Sequence, residues 1–395
     1  MSIFGIVPRR IGGVEMFARE LSSQLDRFGW RSVLCFLQEP PESVRRFLES
    51  PNTSIEVLPG AVHPGPSTLL QAARLIRKHR PGILHLHFTD FLTPYPWLGA
   101  CLSVRRSFLT DHTSRPERYL PQPAALWKRA WGRLVNQPLS TVVGVSDYNG
   151  RCCAVRGFIA PQRVCRIYDA VDLSRDGGDP AAFRHVHSIP HNRTIVLQAS
   201  LLVPEKGIDD LLEAARIVLS RNQDVHFVVA GDGPGRLHYV EQARRLGLED
   251  HFTWTGLIGD PLGEGVYAAA DVICQLSRWE EAFGWVITEG MLCRKPVVAT
   301  RVGGIPEIVE HGRSGFLVPS RSPNEAAEKL LLLLADPALR QSMGEDGRRL
   351  VELRFNLEKN VAELLKLYGI ATSGDSPVPE LVSAPGVETR PMPPR

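Results

Sequence analysis

Twice along this chain, short runs of apolar, strand-forming residues alternate with helix-period segments, and an aperiodic break separates the two series. In the first series "SIFGIV", "RSVLCFL", "GILHLHF", "RSFLTD" and "STVVGVS" are near-continuous apolar stretches. Between the first two, residues 15–28 carry Met16, Phe17, Leu21 and Leu25 at helical spacing and stop at Gly29. Strands that are apolar on both faces, with helices between them, call for a parallel sheet covered on both sides. The break, "DLSRDGGDPAAFRHVHSIPHN", is rich in Gly, Pro, Asp and His. The alternation restarts with "TIVLQAS", "VHFVVAG", "FTWTG", "DVICQLS", "KPVVAT" and "GFLVP", separated by helical patterns near 207–220, 234–246, 262–270, 284–294, 304–311 and 322–336. A chain of 395 residues suits two such units better than one. The expected α/β architecture is a Rossmann-like, doubly wound domain over 1–171, a linker over 172–192 and a second such domain over 193–356. A helix over 357–371 is expected to pack back on the first domain, and the Pro-, Ser- and Val-rich tail 372–395 to be disordered. In doubly wound sheets ligands lie beyond the carboxyl ends of the strands. Two facing units therefore leave a cleft with one substrate held by each.

The totals exclude several classes. With 43% hydrophobic and 23% charged residues, the composition is that of a soluble globular protein. The longest apolar runs, such as 330–335, fall far short of the ~20 residues a membrane span needs. The opening "MSIFGIVPRRIGG" has no signal-peptide pattern, so export is not expected. Seven cysteines without a CxxC pair suit a reducing cytoplasm. Residues 1–170 carry 22 Lys and Arg against 12 Asp and Glu, whereas the remainder carries 24 against 31. A basic first half fits an anionic partner: a phospholipid surface, a polyprenyl-phosphate acceptor or phosphates in a cleft. Solvated arginines on helix faces explain it equally well. No nucleic-acid partner is expected. His85 and His87, at strand spacing, share a face, but no third ligand is evident, so packed histidines are expected rather than a metal site.

The segment "EEAFGWVITEGMLC" sets two carboxylates, Glu281 and Glu289, on either side of a helix start near Phe283 or Gly284. Free N–H groups and the positive dipole end there make an anion site. Eight residues at helical rise span at most ~12 Å, comparable with the separation of the sugar and ribose hydroxyls across a nucleotide-sugar's diphosphate. A carboxylate accepts two hydroxyl hydrogen bonds, so each glutamate can grip one end of such a molecule. Equally, Glu281 can be a capping acid and Glu289 a solvated helix residue. Lys206 stands at a helix start, where the dipole disfavours a cation unless an anion holds it. The turn "GDGPGR" has the spacing GxGxG rather than GxGxxG, and reads as a strand-to-helix turn instead of a dinucleotide fingerprint.

The block "EEAFGWVITEGMLCRKPVVATRVGGIPEIVEHGRSGFLVP" resembles the signature of the family 4 glycosyltransferases, retaining enzymes with the GT-B fold. Two glutamates separated by seven residues are followed, in order, by a Pro-Val-Val-Ala strand, a Gly-Gly-x-Pro-Glu turn and Gly-Phe-Leu-Val-Pro. Upstream, "LVPEKGIDDLLEAA", "VVAGDGPGR", "RIYDAVDL", "GGVEMFARELSSQL", "HLHF" and "TDHTS" fit the same pattern, so the likeness spans roughly 3–368. It implies a GT-B fold, two Rossmann-like domains facing a cleft. It also implies that Glu281 contacts the donor sugar, Glu289 the ribose, and the backbone of Phe283 and Gly284 the sugar and phosphates. Lys206 would neutralise the leaving diphosphate, where charge builds as the glycosidic bond breaks, in place of a divalent metal; neither metal nor cofactor is expected. Gly12 and Gly13 would close over the phosphates, and His112 would donate to a donor-sugar hydroxyl or stabilise transition-state charge. Three positions depart from the pattern: Leu201 stands where Arg is usual, Ala282 where Pro is frequent, and Asp169-Ala170 replaces Asn-Gly or Asn-Ala.

The expected activity is transfer of a hexose-type sugar, with retention, from a nucleotide-sugar to an acceptor hydroxyl in polysaccharide, glycolipid or glycoconjugate biosynthesis. The acceptor would be a saccharide, a lipid-linked molecule or a small molecule. The expected location is cytoplasmic, with the basic half fitting peripheral contact at the inner membrane face. The alternatives are a non-catalytic nucleotide-sugar binder, or a GT-B epimerase or phosphorylase.

Overall fold

Seven strands of the first half and six of the second assemble into two separate, all-parallel sheets in the computed structural model, which describes residues 1–175 and 177–370. The tail 372–395 lies outside the described residues. The first sheet contains β1 (Ser2–Phe4), β2 (Ser32–Phe36), β3 (Thr53–Val57), β4 (Ile83–His87), β5 (Arg106–Asp111), β6 (Leu139–Gly144) and β7 (Val164–Arg166), in the order β3-β2-β1-β4-β5-β6-β7. The second contains β8 (Thr194–Ala199), β9 (Val225–Ala230), β10 (Phe252–Gly256), β11 (Val272–Gln275), β12 (Val297–Thr300) and β13 (Gly315–Val318), in the order β10-β9-β8-β11-β12-β13. Every residue of β2, β4 and β9 is buried, as two covered faces demand. In both sheets the order reverses beside the first strand, between β1 and β4 and between β8 and β11. At each reversal the helices leave on opposite faces and open a crevice above the strand ends.

The chain crosses between the two units at two adjacent points. Val171 N–H donates to Phe355 O (3.0 Å) and Leu357 N–H to Val171 O (3.0 Å), so the outgoing and returning segments pair side by side. The helix Leu357–Leu367 then lies on the first unit's helix Gly13–Arg27. Val361, Leu364 and Tyr368 join Met16, Leu21 and Leu25 in one apolar cluster, and Gln24 donates to Glu358 O (2.8 Å). The segment expected to serve as a linker, 172–192, differs from that expectation. It holds the helix Pro180–Val186, capped by Asp179, and its Phe183 and Ile189 are buried in the second unit's core. A helix of seven residues presents only about two turns to the core, too few for its period to show in sequence.

The first core also buries polar rings. On β4, His85 and His87 stand with ring centroids 4.0 Å apart; His87 stacks on Phe4 at 4.7 Å, and His85 hydrogen-bonds the hydroxyls of Thr110 (2.7 Å) and Tyr368. Burial, and then the neighbouring imidazoles, hold both well below the usual histidine range, so both are neutral. Because the folded values are depressed, this contribution is flat above the unfolded value near 6.5. It turns against folding as pH falls below that value, since the unfolded chain binds protons that the fold excludes. The expected loss is up to about 1.4 kcal/mol per histidine per pH unit. Thermal unfolding followed from about pH 7.5 to about pH 5.5 checks it: the midpoint should fall with acid, and less steeply in His87→Phe, which keeps the ring stack without the titrating nitrogen.

Candidate functional site

On the second unit the site begins where β8 and β11 diverge. Past β8 the chain runs through Ser200 and Leu201 into a short turn, Pro204–Lys206, and then Gly207. Gly207 has φ +68°, and a Cβ there would meet the Leu276 carbonyl oxygen at 1.9 Å, so only glycine lets this turn press on the end of β11. Two further contacts staple the turn, one to β8 and one to the loop after β11. Gln198 donates to Lys206 O (2.8 Å), and Arg278 N–H donates to Glu205 O (2.8 Å). Arg278 also grips Asp210 through two charge-assisted bonds of 2.8 Å.

This scaffold sets the Lys206 ammonium 2.6 Å from Glu281 Oε1, while Glu281 Oε2 accepts from the Ser114 hydroxyl of the other unit (3.1 Å). Burial alone would raise the Glu281 carboxyl. The Lys206 ammonium and the hydroxyls of Ser277 and Ser114 outweigh it and hold the group below the usual carboxylate range. Glu281 is thus an anion inside the protein. Immediately beyond it the helix Trp285–Leu292 starts, with Gly284 as its N-cap and Phe283 buried before it. Gly284, Trp285 and Val286 at this helix start, where N–H groups lack intrahelical partners, line the same cleft as Lys206.

The first unit supplies the facing wall. His112 follows β5, stacks flat on Phe88 (4.2 Å between centroids), and has Nδ1 3.3 Å from Asp169 and Nε2 3.3 Å from His87 Nδ1. Asp169, the residue that departs from the family pattern, is therefore the carboxylate that orients His112. Arg10, in the loop after β1, lines the same space. The resulting cleft has a volume of about 370 Å³ and brings together Glu281, Lys206, His112, Phe283 and Gly284. Among the described residues, the cations lining it are Lys206 and Arg10. Leu201, at the position where the resemblance leads one to expect arginine, is a half-exposed apolar wall.

Three residues expected at the donor do not line this cleft. Gly12 is the N-cap of the helix Gly13–Arg27, where its N–H donates to Glu15 Oε2 (3.1 Å). Gly13 is covered by Trp285: a Cβ at Gly13 would meet the indole at 2.3 Å. The same indole lies 5.9 Å from the His112 ring, and its N–H has no hydrogen-bond partner among the described residues. Glu289 is buried one turn down the helix; burial pushes its carboxyl up, against the opposing pull of the Tyr267 hydroxyl, Arg10 and Arg175. Arg10 thus lines the open cleft while its charge acts on the buried Glu289. Sequence reading missed Arg10, Ser114 and Asp169. The doubled arginine before Gly12-Gly13 was the available hint for the first, and the other two meet their partners only through tertiary folding.

Contacts across the cleft's edge hold the two units together. Ser146 donates to Ala282 O (2.6 Å), and Arg115 and Glu280 exchange backbone hydrogen bonds. The Glu307 carboxylate accepts from the N–H groups of Asp147 and Tyr148 (both 2.7 Å). Glu307 belongs to the "GGIPE" turn of the second unit, yet it caps the helix Asp147–Arg156 of the first. No group of three or more His, Cys, Asp or Glu suited to a metal ion occurs among the described residues.

Known proteins resemble the chain over both units. The profile of the group 1 glycosyl transferases matches residues 180–350, and that of glycosyltransferase family 4 matches residues 11–175. The chain is 34% identical to an alpha-D-kanosaminyltransferase of Streptomyces kanamyceticus over 265 residues, 66% of this chain and 67% of that one. It is also 34% identical to a D-inositol 3-phosphate glycosyltransferase of Streptomyces bingchenggensis over 331 residues, 75% of this chain and 69% of the relative. In fold it is similar to Anabaena HepE, solved in complex with UDP and glucose, with a TM-score of 0.74 at 20% identity, covering 93% of this chain and 98% of that one.

The Glu307 contact yields a test. Glu307→Ala leaves two N–H groups at a helix start without their acceptor, a loss of about 1–3 kcal/mol. A lower unfolding midpoint and faster amide exchange at Asp147 and Tyr148 are expected, with Glu307→Gln, which keeps an acceptor oxygen, intermediate. Unchanged exchange at those two amides would show that the contact does not hold the units together.

Proposed function

The chain belongs to the group 1 glycosyl transferases of glycosyltransferase family 4, and from that premise we propose how its cleft performs transfer from a nucleotide-sugar. The observation that carries the reading is the Lys206–Glu281 pair beside the start of the helix Trp285–Leu292, at the point where strand order reverses. An ammonium has three N–H donors. Glu281 takes one, which leaves two for the oxygens of a diphosphate lying at the helix N-terminus. Glu281 stays ionised against Lys206 and has further lone pairs for sugar hydroxyls. Arg10 supplies the second cation across the cleft, in place of the arginine absent at Leu201. With Arg10 drawn onto the phosphates, its pull on Glu289 is relaxed and that carboxyl is left to accept the ribose hydroxyls.

Transfer proceeds with retention and without a protein nucleophile. The carboxylates lining the cleft among the described residues are Asp169, Asp232 and Glu281. Asp169 is engaged by His112, and Glu281 by Lys206 and Ser114. This supports a front-face route: the bond from the anomeric carbon to phosphate oxygen breaks, the bond to the acceptor oxygen forms, and the acceptor proton passes to the departing phosphate. Lys206, Arg10 and the helix N–H groups stabilise the charge that builds there. His112, held by Asp169 and Phe88, faces the sugar. The acceptor is an alcohol of a saccharide, a lipid-linked molecule or a small molecule, held by the first unit. The two crossings at Val171 and Asn356 act as the hinge for closure. The chemistry needs no resident metal or cofactor, takes place in the cytoplasm, and serves polysaccharide, glycolipid or glycoconjugate synthesis.

A panel of labelled nucleotide-sugars, assayed for hydrolysis and transfer, tests the reading. Lys206→Ala should lower kcat by about 10²–10³-fold, and Glu281→Ala should abolish turnover. Arg10→Ala should raise the donor KM by about 10-fold or more. A chain that binds nucleotide-sugars but turns none over, or whose turnover survives Lys206→Ala unchanged, contradicts the assignment.

A further inference from the structure

The helix Leu126–Val135 is packed with its apolar stripe outward. Trp127, Ala130, Trp131 and Leu134 stand at i, i+3, i+4 and i+7, the spacing of a single helical face. That face is in solvent: Trp127 is 69%, Trp131 55% and Leu134 53% exposed, and Leu126 beside it 79%. The opposite face is the one that rests on the protein. A Cβ at Gly132 would meet the Phe158 ring at 2.5 Å, and Asn136, just past the helix, donates to Phe158 O (3.3 Å). The outward face is also anchored at its edge, because the half-exposed Trp97 donates its indole N–H to Leu134 O (3.1 Å). Exposed Lys128 and Arg133 flank the stripe, and no Asp or Glu occurs between Arg118 and Val135.

We propose that this helix is a docking surface that lies flat in the headgroup region of an anionic lipid bilayer. A solvent-exposed helix with an aromatic and aliphatic face bordered by cations matches the physics of interfacial binding. Indoles settle at the boundary between headgroups and acyl chains, and each nearby lysine or arginine gains from the negative surface potential. A second copy of this chain is a poorer occupant, since a two-fold contact through the stripe would set Lys128 and Arg133 against their own copies. The location suits the reading above. The chain reaches this helix directly from His112 and Ser114, which line the cleft on its acceptor side. The inference deepens the acceptor part of that reading and rests on it only for its purpose; the surface itself does not depend on the transfer chemistry.

Co-sedimentation of the full chain with phosphatidylglycerol-containing and with pure phosphatidylcholine vesicles tests it. The chain should bind the anionic vesicles in preference, with salt weakening the binding. The double variant Trp127→Ser/Trp131→Ser should lose about tenfold or more in affinity, and Lys128→Gln/Arg133→Gln should lose the preference for anionic lipid. Thermal shift with UDP, unchanged in both variants, shows that the fold and cleft are intact. Absence of anionic-vesicle binding, equal binding by the tryptophan variant, or a dimer in solution that this variant abolishes overturns the inference. Vesicle binding by a chain that turns over no nucleotide-sugar leaves the docking surface standing and removes the transferase reading; turnover without vesicle binding does the reverse.

Discussion

An ion pair taken out of water is stable only when its geometry and its remaining hydrogen bonds compensate for lost hydration. The Lys206–Glu281 pair meets that demand, and much of the cleft is arranged around it. The Gly207 turn, the Gln198 and Arg278 staples and the Ser114 and Ser277 hydroxyls all serve to hold one ammonium and one carboxylate 2.6 Å apart at the mouth of a helix. Removing either partner would strand a charge. Offering the ammonium a second anion would not, because two of its donors remain. A diphosphate bound as proposed would enter a site already balanced around its cation, which limits reorganisation when charge moves to the leaving group.

The pair sits in the second unit but is tied to the first. Ser114 reaches Glu281 from the first unit, and Ser146, Arg115 and Glu307 tie the surrounding loops together. Trp285 over Gly13 brings the donor helix into contact with the first unit's opening helix. Any motion that opens the cleft must act on these contacts, while the paired crossings at Val171 and Asn356 keep the units in register.

Much of this was legible in sequence because the period of burial is local. The apolar strands β1, β2, β4–β6 and β8–β13 stand out, as does the block from Glu281 to Pro319. Two elements at the sheet's edges did not. β3 is half-buried, with Glu56 and Ser54 breaking its apolar run, and β7 is three residues long. The helix Pro337–Arg354 hid behind Gly344 and Gly347. Glycine weakens a helical signal, but here it allows close packing: a Cβ at Gly344 would meet Arg294 O at 2.0 Å. At the site, the motifs single out Glu281, Lys206 and His112, which meet in one cleft. Arg10 and Asp169 are not singled out, because their roles depend on where distant segments meet. Asp169 precedes the crossing, 57 residues after the histidine it orients.

The most direct measurement is a crystal structure grown with an intact, non-hydrolysable nucleotide-sugar. The account predicts the diphosphate between Lys206 Nζ and the N–H groups at Phe283 and Gly284, with Lys206 still bonded to Glu281 and Arg10 moved toward the phosphates. A diphosphate bound elsewhere, with Lys206 bonded to Glu281 alone, would contradict it.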